Sequence, residues 1–263
     1  MLAKLKERLE GKYPYQNLAG LYTKTTVSEL KIAAMAEKDE AAYHSFEEKG
    51  VESYIPTFRR GEESITGAVR GNAYHRVMEI LDFDKMYANI GVGTQSELSY
   101  QQFLEQAEEQ SLLKRLDAFL TEAVKSHKLR QEYFDAVNRK KLVHFLRSEI
   151  ALRMWKASAH GKLYREQPFV LGVEARRLNE AYPETEHVLI QGIIDVFFEE
   201  EDGLVLLDYK TDAVSSPEDL WKRYETQLDY YAEALEKMME KPVKEKILYS
   251  FHLEEYRIRD SFK

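Results

Sequence analysis

The chain of 263 residues has no cysteine, only 12 glycines and 6 prolines, and no long apolar run. Without cysteine there are no disulfides, no thiolate zinc sites, no thiol nucleophile and no cysteine-held iron–sulfur cluster, so any metal must be bound by imidazole, carboxylate or carbonyl groups. No stretch reaches the roughly 20 apolar residues that span a bilayer. The N-terminal "MLAKLKERLEGKYP" also lacks the apolar core of a signal peptide, and the expectation is a cytoplasmic protein without a membrane partner. Positive charge is in deficit, with 38 Lys+Arg against 46 Asp+Glu and a formal net charge of -8. That excludes an all-over basic coat but leaves room for a local basic groove.

What is present is ordinary globular material: 44% hydrophobic and 32% charged residues, enough for one large domain or two small ones. The first 160 residues read largely as helices joined by polar turns. "TVSELKIAAMAEKDEA" opens on a cap at Thr26 or Ser28, with Leu30, Ala33 and Ala34 at helical spacing. "EEKGVESYIPTFRRGEESITG" reads as a loop or linker. Ala73, Val77, Ile80 and Leu81 form a stripe predicting a helix over 70–82, and further amphipathic stretches cover 99–108, 111–125 and 130–158. After Gly161 the apolar period shortens to two. "LYREQPFVLGVEA", "HVLIQGIIDVFFE" and "GLVLLDYKT" read as strands, Pro217 opens a long helix, and "PVKEKILYSFHLEEYRI" closes the chain as a strand or strand pair. The expected fold class is α/β (α+β), a mixed central sheet flanked by helices with a helical N-terminal region. The expected division is a helical or linker segment over 1–68 and a domain over 69–263, itself helical over 69–160 and sheet over 161–263.

The chemistry concentrates in the two strands around "EEEDG". A hairpin folded symmetrically about the Glu201–Asp202 bond sets Asp195 opposite Asp208, with Cβ atoms about 4.5–5.5 Å apart. Lys210 projects from the same face, whereas Val205, Leu207 and Tyr209 face the other way into a core. Two carboxylates so placed repel unless a positive charge lies between them, and a divalent cation is the natural one. Oxygen ligands favour Mg²⁺, with Mn²⁺ as substitute. The bland alternative is a solvated surface ion pair, which the apolar flanks of both strands disfavour.

These residues resemble a known pattern. "QGIIDVFFEEEDGLVLLDYKTD" is similar to the core of RecB-family nucleases in the PD-(D/E)XK superfamily, with Gly192, Asp195, Gly203, Asp208, Tyr209, Lys210 and Thr211 in register. "GNAYHRVMEILDF" resembles that family's upstream helix, "REQPFVL" the strand before the core, and "QLDYYAEAL" the downstream Gln-x-x-x-Tyr motif. With "TVSELK" near the start, the resemblance narrows to the C-terminal nuclease domains of AddA-type helicase–nucleases, over most of the chain from about residue 25.

The resemblance implies a restriction-endonuclease-like core and an excised domain that cuts single-stranded DNA fed to it by a helicase during recombinational break repair. No phosphate-binding GxxxxGK[ST] loop occurs here, so the motor would belong to N-terminal helicase domains of a longer chain, with AddB as its partner. It implies Mg²⁺ held by His75, Asp195, Asp208 and the Tyr209 carbonyl, and catalysis by Asp195, Asp208, Lys210 and Glu166. Glu166 is open between a site role and a structural pairing with Arg165. Gln227, Tyr231, Lys222 and Arg223 are candidate DNA contacts, Tyr231 being equally explained by packing. Lacking cysteine, the chain differs from relatives that carry an iron–sulfur cluster. Two rival readings stand beside this one: a stand-alone nuclease of phage or restriction type, and a nuclease-fold DNA-binding module without activity.

Overall fold

A computed structural model describes residues 21, 23–30, 67–90 and 98–260. The expected linker over 47–66 and most of the 1–68 segment lie outside the described residues. The elements are β1 (Lys24–Thr26), α1 (Gly67–Ile80), α2 (Phe83–Met86), α3 (Tyr100–Gln106), α4 (Glu109–Lys125), α5 (Gln131–Ala136), α6 (Arg139–Leu146), α7 (Glu149–Ala159), β2 (Leu163–Glu174), β3 (His187–Glu200), β4 (Gly203–Lys210), α8 (Pro217–Met239), β5 (Val243–Ser250) and β6 (Glu255–Asp260). No helix among the described residues is long and apolar enough to cross a membrane.

Local chemistry sets several boundaries. Thr26 closes a capping box: its hydroxyl accepts from Glu29 N–H, and its own N–H donates to the Glu29 carboxylate. Ser216 caps α8 by accepting from Asp219 N–H, with Pro217 in the first turn. The stretch over 130–158, expected as one amphipathic run, is three helices. Asn138 accepts from Lys140 and Lys141 N–H, and Ser148 accepts from Ala151 N–H. Each side chain satisfies the first amides of a new helix and so ends the preceding one. Asn138→Ala is expected to cost about 1 kcal/mol, read as a lowered urea midpoint with unchanged slope.

The six strands form one mixed sheet in the order β1-β3-β4-β5-β6, with β2 also on β3. β2 runs antiparallel along β3 from Leu163↔Phe198 to Glu174↔His187. The other edge of β3 is shared. β1 pairs with it in parallel at Leu189 to Gln191, and β4 pairs antiparallel from Val196 to Glu200. β5 joins β4 in parallel, and β6 returns antiparallel on β5. The three-residue β1 is too short for periodicity to reveal, and the C-terminal stretch is the strand pair.

Helices cover both faces. On one, α1 to α7 pack Val77, Met78, Phe145, Met154 and Trp155 against Val196, Phe198, Val205, Leu207 and Tyr209. On the other, α8 packs Trp221, Leu228 and Leu235 against Ile194, Phe197, Leu204 and Leu206. β4 is buried along its length, as a strand covered on both sides must be. At the turn end of the hairpin, Arg153 donates to both Glu200 oxygens at 2.8 and 2.9 Å and to Glu245 at 2.8 Å, tying β3 to β5.

Candidate active site

The hairpin register is the one the sequence predicts. Val196 faces Leu207 and Glu200 faces Gly203, so Asp195 and Asp208 form the next pair out. At that pair the ladder stops. Tyr209 N–H donates at 3.0 Å to the Asp195 carboxylate instead of to a backbone carbonyl. Among the described residues, no strand pairs with Gly192–Asp195 on this edge, because β1 leaves at Gln191 and β4 begins at Val196. The opposite edge is interrupted at the same place. Glu166 has φ +48, and the β2–β3 ladder passes from Arg165↔Val196 to Gln167↔Ile194 without it. A left-handed glutamate inside a strand costs on the order of 1–3 kcal/mol, and here it turns the carboxylate inward.

The result is a convergence of three elements. One ligand atom each from His75 on α1, Glu166 on β2 and Asp195 on β3 lie within 4.8 Å of one another. His75 Nδ1 is 3.3 Å from Asp195 Oδ2. Arg165, beside Glu166, donates at 3.2 and 2.7 Å to Glu79 and Leu81 carbonyls at the end of α1, which fixes that helix against β2. Arg165 therefore serves the helix terminus, and Glu166 turns toward His75 and Asp195. Glu79 pairs with Arg76.

Asp208 lies deeper, 1% exposed. One of its oxygens meets the Lys210 ammonium and the other accepts from Gln227 Nε2 at 3.2 Å. Lys210 Nζ also stands 4.4 Å from the centroid of Tyr224, whose hydroxyl donates to Asp212 at 3.0 Å. Gln227 further donates to Tyr231 at 2.9 Å, so these two candidate DNA contacts also link α8 to the catalytic strand. Arg223 precedes Gln227 by four residues on that helical face, whereas Lys222 is exposed and five residues away, turned off it. The Tyr209 ring is buried in the helical core with its hydroxyl against Met154 Sδ, so it reaches the site only through its backbone.

The charges are strongly interdependent. Burial disfavours a charged His75, but the Asp195 carboxylate outweighs it and holds the imidazole above its ordinary pKa. Burial would raise Asp195, yet His75, Lys210 and the Tyr209 N–H hold it low. Burial pushes Asp208 up, against the pull of Lys210 and with the push of Asp195. Burial also opposes the Lys210 charge, and the two aspartates more than restore it. Glu166 is pushed up to about 7 by burial and by Asp195. Three carboxylates against one ammonium and an imidazole leave an excess of negative charge on this cluster. A divalent cation fits the donor set: two carboxylates and an imidazole without thiolate, at mutual separations near twice a ligand distance of about 2.1 Å.

Two supporting features carry weak sequence signals. Gly192 is enforced by contact, since a Cβ there would sit 2.8 Å from Phe169 Cε1 and 3.2 Å from Tyr231 Cε1. Gly192→Ala is expected to cost about 1–3 kcal/mol, measured by thermal melting, as the edge-to-face Phe169–Tyr231 pair is forced apart. The lysine–Tyr224 stacking has only the aromatic residue three before Gln227 as its trace in the sequence.

Comparison with known proteins agrees with this geometry. Residues 43–261 match a family described as the PD-(D/E)XK nuclease superfamily. The chain is 32% identical to the ATP-dependent helicase/nuclease AddA of Lachnoclostridium phytofermentans, covering 96% of the chain and 22% of that protein. Proteins of the same name from Clostridium botulinum and Alkaliphilus metalliredigens are 34% and 35% identical, over 95% and 94% of the chain and 18% of each relative. The chain thus spans about a fifth of the length of these relatives.

Proposed function

The chain belongs to the PD-(D/E)XK nuclease superfamily, and from that premise we propose that it is the nuclease part of an AddA-type helicase–nuclease, hydrolysing single-stranded DNA with Mg²⁺. The observation that carries this reading is the convergence of His75, Glu166 and Asp195 from three elements beside the Asp208–Lys210 pair. His75, Asp195, Asp208 and the Tyr209 carbonyl would hold the cation, with Glu166 as a further carboxylate at the same centre. When bound, the cation supplies Lewis acidity, making a water easier to deprotonate and drawing charge from the phosphate oxygens.

The remaining work belongs to the protein. Lys210, pinned between Asp208 and the Tyr224 ring, orients the attacking water and steadies the charge that grows on the phosphate. Water adds to phosphorus and the bond to O3′ breaks, leaving a 5′-phosphate on one product and a 3′-hydroxyl on the other. Gln227 keeps Asp208 aimed. Gln227, Tyr231, Lys222 and Arg223 supply contacts to DNA from α8. The relatives' names support the wider setting: N-terminal helicase domains of a longer chain deliver the strand that enters 3′-end first, AddB is the partner, and the work is recombinational repair of double-strand breaks in the cytoplasm.

The test is cleavage of end-labelled oligonucleotides by the chain with Mg²⁺. The expected result is 5′-phosphate products, faster from single strands than from duplex, and abolished by chelation. No cleavage of either substrate with Mg²⁺ or Mn²⁺ would refute the catalytic reading, and cleavage confined to duplex would refute its single-strand part.

A further inference from the structure

A small cavity of about 190 Å³ opens beside the catalytic strand end, lined by Arg70, Lys141 and His252 together with Thr211, Asn138 and Tyr74. Its wall contains no carboxylate. That is unusual in a chain of net charge -8. Of the larger cavities among the described residues, one sets Glu109, Glu254 and Glu255 against its cations, one is lined by uncharged residues, and one includes Asp82 and Glu122.

The cavity is built into the site's own elements. Thr211 follows Lys210 directly, and α1 comes so near that a Cβ at Gly71 would stand 3.4 Å from the Thr211 hydroxyl. Arg70 and His75 therefore project from one helix toward opposite ends of the same strand terminus. The Lys141 ammonium is fixed by the Phe251 and His252 carbonyls at 2.7 and 2.9 Å. Glu254 lies 3.6 Å from that ammonium, outside the cavity wall, and offsets part of its charge. Arg70 has no ion-pair partner among the described residues and supplies the free positive charge at the mouth.

We propose that this cleft binds one phosphate of the nucleic-acid backbone adjacent to the phosphate being cut, with Arg70 as its principal charge and the Thr211 hydroxyl and His252 ring as hydrogen-bonding partners. The inference rests on the nuclease reading above and adds a phosphate subsite to it. A guanidinium suits this role because its fork engages two phosphate oxygens at once. Such a contact sets the register of the strand on the enzyme without reading its sequence.

The experiment walks a single uncharged methylphosphonate through a single-stranded oligonucleotide cut at one defined bond, and measures kcat/KM with Mg²⁺ for the wild type, Arg70→Gln and Arg70→Lys. For the wild type, neutralising one phosphate next to the cut bond should cost about tenfold, and its neighbours beyond that less. Arg70→Gln should show the same loss on the unmodified strand, carried in KM, and no further loss from the methylphosphonate at that position. Arg70→Lys should recover part of it. With Ca²⁺ replacing Mg²⁺, the salt slope of strand binding should fall by about 0.7 in Arg70→Gln, the value for one phosphate contact on a single strand. Losses that multiply between variant and methylphosphonate, or an unchanged KM in Arg70→Gln, overturn the subsite while leaving the nuclease reading in place. A wild type that cuts no oligonucleotide overturns the nuclease reading and the subsite with it.

Discussion

Asp195→Ala is expected to lower DNA cleavage on the order of 10³-fold, beyond the 10–100-fold typical of residues that only orient a metal ligand. Asp195 stands at the meeting point: His75 Nδ1 is 3.3 Å away, the Tyr209 N–H is held by its oxygen, and Glu166 converges on it. Its removal takes away one proposed ligand and releases the imidazole that it orients. The same variant separates binding from chemistry. A cation at 100 times its dissociation constant stabilises a folded protein by about 2.7 kcal/mol, which the wild type should show as a melting temperature several degrees higher in Mg²⁺ or Mn²⁺. Asp195→Ala should melt at one temperature with or without metal. An undiminished metal shift would remove Asp195 from the ligand set, and retained cleavage would remove it from the chemistry.

Lys210→Met should strike both activity and stability. The expected loss of cleavage is about 10²–10³-fold, the scale of removing one preorganised charge from a transition state. The stability effect follows from burial. Asp208 is 1% exposed, and its lysine partner is the cation in contact with it. A buried charge stripped of its partner destabilises by about 3–5 kcal/mol, so metal-free Lys210→Met should unfold at markedly lower urea. Adding Asp208→Asn should restore most of that stability, because Gln227 can still donate to the amide oxygen, and should restore no activity. A single variant losing less than about 1 kcal/mol would show that solvent, and not Lys210, balances Asp208.

How much of this can be read from the sequence depends on the range of the interaction. The hairpin register is legible because a short acidic turn with Gly203 fixes the pairing, and pairing fixes which residues share a face. The two-sided burial of β4 follows from its continuous apolar run. The division of the 130–158 stretch is hidden, although Asn138 and Ser148 are in plain view, because apolar spacing continues in phase across two short breaks. β1 is held by its partner strand and carries no pattern of its own. The role of Glu166 is open in the sequence for a backbone reason: only the φ of +48 decides that its carboxylate faces His75 and not Arg165. The position of Lys222 off the Gln227 face follows from helical geometry that motif proximity obscures.

The burial of β4 between two cores has a practical consequence for dividing the chain. Val205, Leu207 and Tyr209 are packed by helices that precede Gly161, and Leu204 and Leu206 by the helix that follows the strand. A chain cut near residue 160 would strip one whole side of the strand that ends in Asp208 and Lys210. The all-helical fragment would in turn display the apolar surface that had covered it. Neither half is a candidate for separate expression, and a protease nick at Gly161 should leave the fragments co-purifying until denaturant is added.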